Sequence, residues 1–316
     1  MKSPAPPQRS ALGPGTGPGT GLALEVSHLS KSFGPTQAVA DMSLRVARGE
    51  SIGLLGPNGA GKSTTLRILS TLLQPDGGEV SVLGFDPRTH GAEIRASIGV
   101  VPQDIALYGA MSAAENLAFF AELAGVPRAR IQERVDRALE TAGLTERRRS
   151  RVSEFSGGMK RRLNLVAALL HEPELIFLDE PTAGVDPQSR NHIFEQVERL
   201  RAESGVTLIY TTHQMGEVER LCDRIVIMDR GRSVADGSLK ELQGLDAVQR
   251  ETAPRLRLQD DRDLERAAAL LREHGIEFAA ESGSADLESI FLGLTGRALR
   301  DGDEALQGAD ATEVRA

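Results

Sequence analysis

The chain carries Gly56-Pro57-Asn58-Gly59-Ala60-Gly61-Lys62-Ser63-Thr64 directly after the apolar run Ser51-Ile52-Gly53-Leu54-Leu55. The apolar run predicts a buried parallel strand, and the glycines that follow let the backbone curl so that its N–H groups face phosphate oxygens. Lys62 is placed to reach the β- and γ-phosphates, and Ser63 to offer its hydroxyl to Mg²⁺. A helix predicted over residues 62–73 turns its positive end towards that anion. The stretch therefore predicts an α/β fold around a nucleoside triphosphate, with residues 56–64, here called the phosphate loop, as its contacts.

A second apolar run, Leu175-Ile176-Phe177-Leu178, predicts another buried strand and is followed at once by Asp179 and Glu180. Open α/β sheets bind their ligands at the carboxyl ends of the strands. At that place Asp179 can hold Mg²⁺ through water, and Glu180 can accept a proton from an attacking water molecule. The plainer alternative is that Glu180 caps the turn before Pro181.

The segment Ser156-Gly157-Gly158 precedes apolar residues that recur at helical spacing, so Ser156 is predicted to be a helix N-cap. Two glycines in a first helical turn are destabilising unless something must approach the backbone closely. A γ-phosphate fits that requirement, with the N–H groups of Gly157 and Gly158 and the Ser156 hydroxyl as donors. The alternative is a capped helix with a basic outer face at residues 160–162.

In this order and spacing, the motifs resemble those of the ATP-binding subunits of ABC transporters, over about residues 22–242 and more weakly to about 301. The resemblance implies that Phe33, where many members have Tyr, stacks on adenine. It implies that Gln103 senses Mg²⁺ and the γ-phosphate, and that His213 is the switch histidine. It also implies that Asp186, in a loop crossing to another subunit, is one of the nucleotide-binding residues.

The same resemblance implies a mechanism that uses two copies of the chain. Two Mg·ATP would be bound head to tail, each between the phosphate loop of one copy and residues 156–158 of the other. Lys62 would bind phosphate, while Glu180 and His213 would position and deprotonate water. Gln103 would then carry the nucleotide state to a separate membrane permease.

Met159 stands where the family's commonest signature has Gln, and the continuation Met159-Lys160-Arg161-Arg162 resembles the export branch typified by daunorubicin/doxorubicin-resistance ATPases. Residues 103–108, 115–117 and 287–296 resemble the same branch. This favours export of a drug, lipid or polysaccharide. An importer subunit would share every catalytic residue. A soluble ABC ATPase acting on ribosomes or nucleic acid is less favoured, because the chain has one phosphate loop and no sustained heptads.

Composition is consistent with this interpretation. The 316 residues suffice for one nucleotide-binding domain of two lobes, and the net charge of −8 disfavours nucleic acid as a partner. The single cysteine, Cys222, excludes an internal disulfide framework. No apolar run approaches the ~20 residues that cross a bilayer. We therefore expect attachment to the cytoplasmic face of the cell membrane through a permease.

The predicted domain organisation has four parts: a disordered tail at 1–21, an ATP-binding domain at 22–243, a small α+β appendage at 244–296 and a flexible tail at 297–316. Within the ATP-binding domain, an antiparallel β layer should precede a RecA-like parallel core, with a helical subdomain at about 104–155. The predicted parallel strands are 51–55, 175–178, 206–210 and 225–228. Helices are predicted at 114–124, 130–142 and 263–273.

Overall fold

The structure is a computed structural model that describes residues 21–244, 264–274 and 295. The strands are β1 (Leu22–Phe33), β2 (Thr36–Ala47), β3 (Ser51–Leu55), β4 (Gly77–Val82), β5 (Ile98–Val101), β6 (Leu175–Asp179), β7 (Thr207–Thr212), β8 (Arg224–Asp229) and β9 (Arg232–Gly237). The α-helices are α1 (Lys62–Leu69), α2 (Gly91–Ser97), α3 (Ala113–Leu123), α4 (Arg128–Thr141), α5 (Gly157–Ala167), α6 (Pro187–Ser204), α7 (Met215–Leu221), α8 (Leu239–Gln243) and α9 (Leu264–Glu273).

A parallel core forms the centre of the molecule. Its strands lie in the order β8-β3-β7-β6-β5, and β3, β6 and β7 are buried along their whole lengths. Continuous apolar runs favour this position, because strands between two helical layers need apolar side chains on both faces. The four predicted parallel strands are confirmed. Since β6, β7 and β3 are neighbours, the loops that follow them meet at one edge of the sheet.

An antiparallel layer continues the same sheet. Strands β1, β2 and β4 pair antiparallel, and β9 pairs antiparallel with β8. Only one residue pair, Asp41 with Arg232, joins β2 to β9. The result is one nine-stranded sheet in the order β4-β1-β2-β9-β8-β3-β7-β6-β5, which confirms the predicted α/β class with its antiparallel layer and parallel core.

Helices α3 and α4 lie within the predicted helical lobe at about 104–155, and α5, just beyond it, packs with them around an apolar cluster that includes Leu117, Leu139 and Leu163. Helix α3 begins with a capping box, in which the Ser112 hydroxyl accepts from the Glu115 N–H and the Glu115 carboxylate accepts from the Ser112 N–H. Short 3₁₀ helices at Thr145–Arg147 and Val152–Glu154 lead into α5. The lobe thus has a separate core from the sheet, as expected of a subdomain.

Helix α1 is shorter than the prediction of residues 62–73, because it ends at Leu69. Thr71 has a φ of 67°, in the left-handed region, and this reverses the chain so that the N–H groups of Leu72 and Leu73 both donate to the carbonyl of Arg67. Leu72 is consequently 68% exposed. The predicted helix was wrong in its last turn.

Of the predicted appendage, the structure describes α9, which agrees with the helix predicted at 263–273, and Thr295. The predicted strands at 255–259 and 276–279, the helix predicted at 286–294 and the terminal tails, apart from Gly21, lie outside the described residues. The four-part division of the chain therefore stays a prediction.

Candidate active site

The phosphate loop connects β3 to α1 and depends on glycine for two different reasons. Gly59 and Gly61 have φ values of 82° and 102°, a region that side chains rarely adopt. A Cβ on Gly56 would lie 2.3 Å from the carbonyl oxygen of Met228, so the packing of the loop against β8 excludes any side chain there. The other loop residues differ in exposure: Asn58 is exposed, Ala60 is buried, and Pro57, Ser63 and Thr64 are half-buried.

Lys62 is the first residue of α1 and is buried, with 4% of its surface exposed. Its Nζ donates to the carbonyl oxygens of Gly56 at 2.6 Å and Pro57 at 3.0 Å. Burial lowers the pKa of Lys62, while the nearby carboxylates of Glu180 and Asp179 oppose that shift. The ammonium group is therefore held inside the curl of the loop, as a phosphate-binding lysine requires.

Asp179 and Ser63 lie together at the edge of the sheet. The Ser63 hydroxyl donates to Oδ1 of Asp179 at 3.0 Å, and the Thr211 hydroxyl donates to the same oxygen at 2.6 Å. A carboxylate beside a hydroxyl offers the oxygen ligands that Mg²⁺ prefers. The described residues contain no group of three or more His, Cys, Asp or Glu that could form a metal site. A site with one carboxylate suits Mg²⁺ that is held mainly by phosphates and water.

Glu180 lies at the centre of the predicted catalytic residues. Its Oε1 is 3.3 Å from Nδ1 of His213 and 3.7 Å from Nζ of Lys62, and Nε2 of Gln103 donates to its Oε2 at 3.3 Å. The backbone of Glu180 has a φ of 44°, and its N–H donates to the carbonyl and hydroxyl oxygens of Thr211. The carboxylate thus contacts three side chains that the sequence predicted to act in the site, and the turn-capping alternative does not account for these contacts.

Phe33 lies at the end of β1, and half of its surface is exposed. Nζ of Lys31 lies 5.8 Å from the centre of its ring, within the range of a cation–π contact. The ring therefore presents an open face that a flat base could cover.

Ser156 is confirmed as the N-cap of α5, because its hydroxyl accepts from the N–H of Met159 at 3.2 Å. Gly158 has an intramolecular reason to be glycine that the sequence did not indicate: a Cβ there would lie 2.0 Å from Oγ of Ser189 on α6. A Cβ on Gly157 would have no atom of the described residues within 4 Å. In the part of the chain that the structure describes, no hydrogen bond joins residues 156–158 to the phosphate loop.

Asp186 is the N-cap of α6, and its Oδ1 accepts from the N–H of Ser189 at 3.0 Å. Hydrogen bonds from Ser189 hold the pKa of the Asp186 carboxyl below its usual value. This carboxylate thus has a partner within its own chain, in addition to the nucleotide contact predicted for it.

Sequence reasoning missed two residues that organise the site. Thr211 binds Asp179 and the backbone of Glu180 from the next strand, and no local pattern marks it. The guanidinium of Arg161, on α5, donates to the carbonyl oxygens of both Gln103 and Ala183. The sequence indicated Arg161 only as part of a basic helix face at residues 160–162.

A phosphate loop after β3, a buried aspartate at the end of β6 and a glutamate just beyond it define a P-loop ATPase. The family model described as ABC transporter matches residues 39–183. The chain is 48% identical over 219 residues to the linearmycin resistance ATP-binding protein of Bacillus subtilis, covering 69% of this chain and 70% of that one. It is 39% identical over 319 residues to a Nod factor export ATP-binding protein of Cupriavidus pinatubonensis, covering 94% and 96%.

Solved structures agree with these relatives. One, described as the ATP-binding subunit of an ABC transporter, superposes with a TM-score of 0.67 at 28% identity and covers 86% of this chain and 99% of that one. Another, a subunit of the cbiONQ ABC transporter complex of Clostridium perfringens, has a TM-score of 0.65 at 29% identity and covers 79% and 99%.

The chain therefore belongs to the ABC transporter family, as an ATP-binding, ATP-hydrolysing subunit of the export-type branch. It works as part of a membrane transporter complex. Among the helices that the structure describes, none is long and apolar enough to span a bilayer.

Proposed function

We propose that two copies of the chain close over two Mg·ATP, each nucleotide lying between the phosphate loop of one copy and residues 156–158 of the other. The observation that carries this proposal is Gly157. It lies in the first turn of α5, where glycine is less favourable than alanine by about 1 kcal/mol, yet none of the residues that the structure describes occupies the space of a side chain there. A phosphate bound to a second copy accounts for that open space.

The roles of the active-site residues follow from their contacts. When bound between Ser63 and Asp179, Mg²⁺ would neutralise charge on the β- and γ-phosphates. Lys62 binds the same phosphates from within the loop, and Phe33 stacks on the adenine. Glu180 accepts the proton of the attacking water, because its carboxylate is the group on which His213 and Gln103 converge.

His213 and Gln103 contact different oxygens of Glu180. His213 orients the attacking water beside Oε1, whereas Gln103 links Oε2 to the start of the helical lobe. Loss of the γ-phosphate on hydrolysis removes the bridge between the two copies, so the dimer opens. Gln103 passes this change to a membrane permease.

We also propose that the chain binds a separate permease at the cytoplasmic face of the cell membrane and powers export of a drug, lipid or polysaccharide. Relatives named for linearmycin resistance, for daunorubicin/doxorubicin resistance and for Nod factor export support this class of cargo. The test is to purify the tagged chain from membranes in mild detergent. A stoichiometric permease supports the proposal, and a pool bound only to ribosomes or DNA contradicts it.

The substitution Glu180→Gln tests the ATP-bound dimer. The amide keeps the volume of the side chain but cannot accept the proton, so turnover should fall by about 100-fold or more. ATP then stays bound, and light scattering after gel filtration should show a dimer in Mg·ATP and a monomer without nucleotide. A monomer in excess Mg·ATP would rule out the proposed arrangement.

A further inference from the structure

Glu217 is a buried acidic residue beside the active site to which the proposed reaction assigns no role. It lies in the first turn of α7 and is only 3% exposed. A buried carboxyl group is destabilising unless hydrogen-bond donors surround it. Its partners therefore indicate what the group holds in place.

Three buried hydroxyl groups donate to the carboxyl group of Glu217. Thr182 donates to Oε1, while Tyr210 at 3.0 Å and Thr212 at 2.7 Å donate to Oε2. Burial, and then the nearby Glu217, raises the pKa of Tyr210 well above its ordinary value, so the phenol keeps its proton and stays a donor. The carboxyl group is thus satisfied by residues from two separate segments of the chain.

Two of these donors lie within two residues of a proposed catalytic residue in the sequence. Thr182 follows Glu180 by two residues, and Thr212 directly precedes His213. The Thr212 hydroxyl also accepts from the N–H of Gln214 at 2.9 Å, which fixes the backbone on the other side of His213. One carboxyl group therefore ties together the two segments whose functional side chains lie 3.3 Å apart.

We propose that Glu217 is a positioning residue for ATP hydrolysis, which sets the distance between Glu180 and His213 by binding Thr182 and Thr212 at once. This inference rests on the roles proposed above for those two catalytic residues. It predicts a loss of turnover without a loss of nucleotide binding, because Glu217 has no hydrogen bond to the phosphate loop among the described residues.

Tyr210 provides a matched control within the same network. It donates to the same carboxyl group, but it lies inside β7, where its backbone pairs with Gly53 and Leu178. Tyr210→Phe removes one of the three hydrogen bonds to Glu217 and leaves those of Thr182 and Thr212 intact. If Glu217 only stabilises the fold, Y210F and a variant that removes the Thr182 and Thr212 hydroxyl groups should change kcat alike.

The experiment measures kcat, the dissociation constant of a fluorescent ATP analogue and the melting temperature of the full chain. The variants are E217Q, Y210F and the pair T182V/T212V. The amide of E217Q keeps the volume but offers nitrogen donors in place of one acceptor. We expect kcat to fall by at least about tenfold in E217Q and in the pair, since misplacement by about 1 Å can cost about 100-fold. Nucleotide affinity should stay within about twofold, and Y210F should keep its kcat.

A triple variant, E217Q with T182V/T212V, should lose no more activity than the pair alone, because the same connection is already broken. The proposal is overturned if E217Q lowers only the melting temperature, or if Y210F loses as much kcat as E217Q. The same measurements on E180Q distinguish a failure of the proposed catalytic roles from a failure of the role proposed for Glu217. If E180Q keeps its turnover, the catalytic assignment fails; if E180Q is inactive and E217Q is not, only the role of Glu217 fails.

Discussion

The phosphate loop and the segment at residues 156–158 are both rich in glycine, yet they contact the rest of the chain very differently. In the loop, Gly56 packs against the backbone of β8, Lys62 donates to two loop carbonyls, and Ser63 donates to Asp179. In the segment, Ser156 caps its own helix and Gly157 borders open space. The chain's own contacts hold the loop in place, whereas the segment proposed to bind a second copy's nucleotide borders space that no described residue fills.

Because of this difference, substitutions in the two regions should have different effects. Substitutions in the loop should reduce binding of nucleotide to a single chain. Substitutions at Gly157 should leave that binding unchanged and affect only association of two chains. Gly158, which contacts α6, should affect folding instead.

The largest effect is expected for Lys62→Ala, because it removes a charged donor to the β- and γ-phosphates. Loss of such contacts, about 3 kcal/mol, corresponds to about 100-fold weaker binding of ATP. Isothermal titration calorimetry measures this directly. Lys240→Ala, at an exposed position on α8, is the matched control and should bind ATP normally. Equal affinities in the two variants would show that the loop is not the nucleotide site.

Gly158→Ala should destabilise the fold, because its methyl group would overlap Ser189 on α6. Overpacking costs about 1–3 kcal/mol, and an approach of 2.0 Å should fall in the upper part of that range, above the helical gain of about 1 kcal/mol from replacing glycine. We expect the free energy of unfolding to fall by about 1–2 kcal/mol in urea denaturation. In a Ser189→Gly background the same change should become stabilising. A penalty that persists there would mean that Ser189 is not its cause.

The smallest effect concerns Gly157→Ala, which should leave the folded chain and its ATP affinity intact. It should weaken the ATP-bound dimer about fivefold, or about 1 kcal/mol. The added methyl group has room in a single chain and none beside a phosphate bound to a partner. Gly216→Ala is the control, because Gly216 lies in the first turn of α7 and a Cβ there would likewise have no described atom within 4 Å. Sedimentation in the E180Q background provides the measurement. A dimer unaffected by Gly157→Ala would contradict the contact proposed for this residue.

Much of the fold could be predicted because its signals are local. The apolar runs before Gly56 and Asp179 predicted buried strands, and strand ends at the same edge of the sheet then placed Ser63, Asp179 and Glu180 together. The end of α1 could not be predicted, because the left-handed backbone of Thr71 has no counterpart in residue type. The contact of Gly158 with Ser189 and the shared partners of Glu217 depend on elements distant in sequence, so only the assembled molecule reveals them.

The backbone of Glu180 has a consequence for engineering the protein. A glutamate with a φ of 44° is held in a conformation that costs about 1–2 kcal/mol relative to the right-handed one. Thermostability selection at this position would therefore favour glycine, which adopts that φ without strain but has no carboxylate. A library screened for heat resistance alone should enrich chains that are robust and inactive, so a screen of this enzyme must include turnover as a criterion.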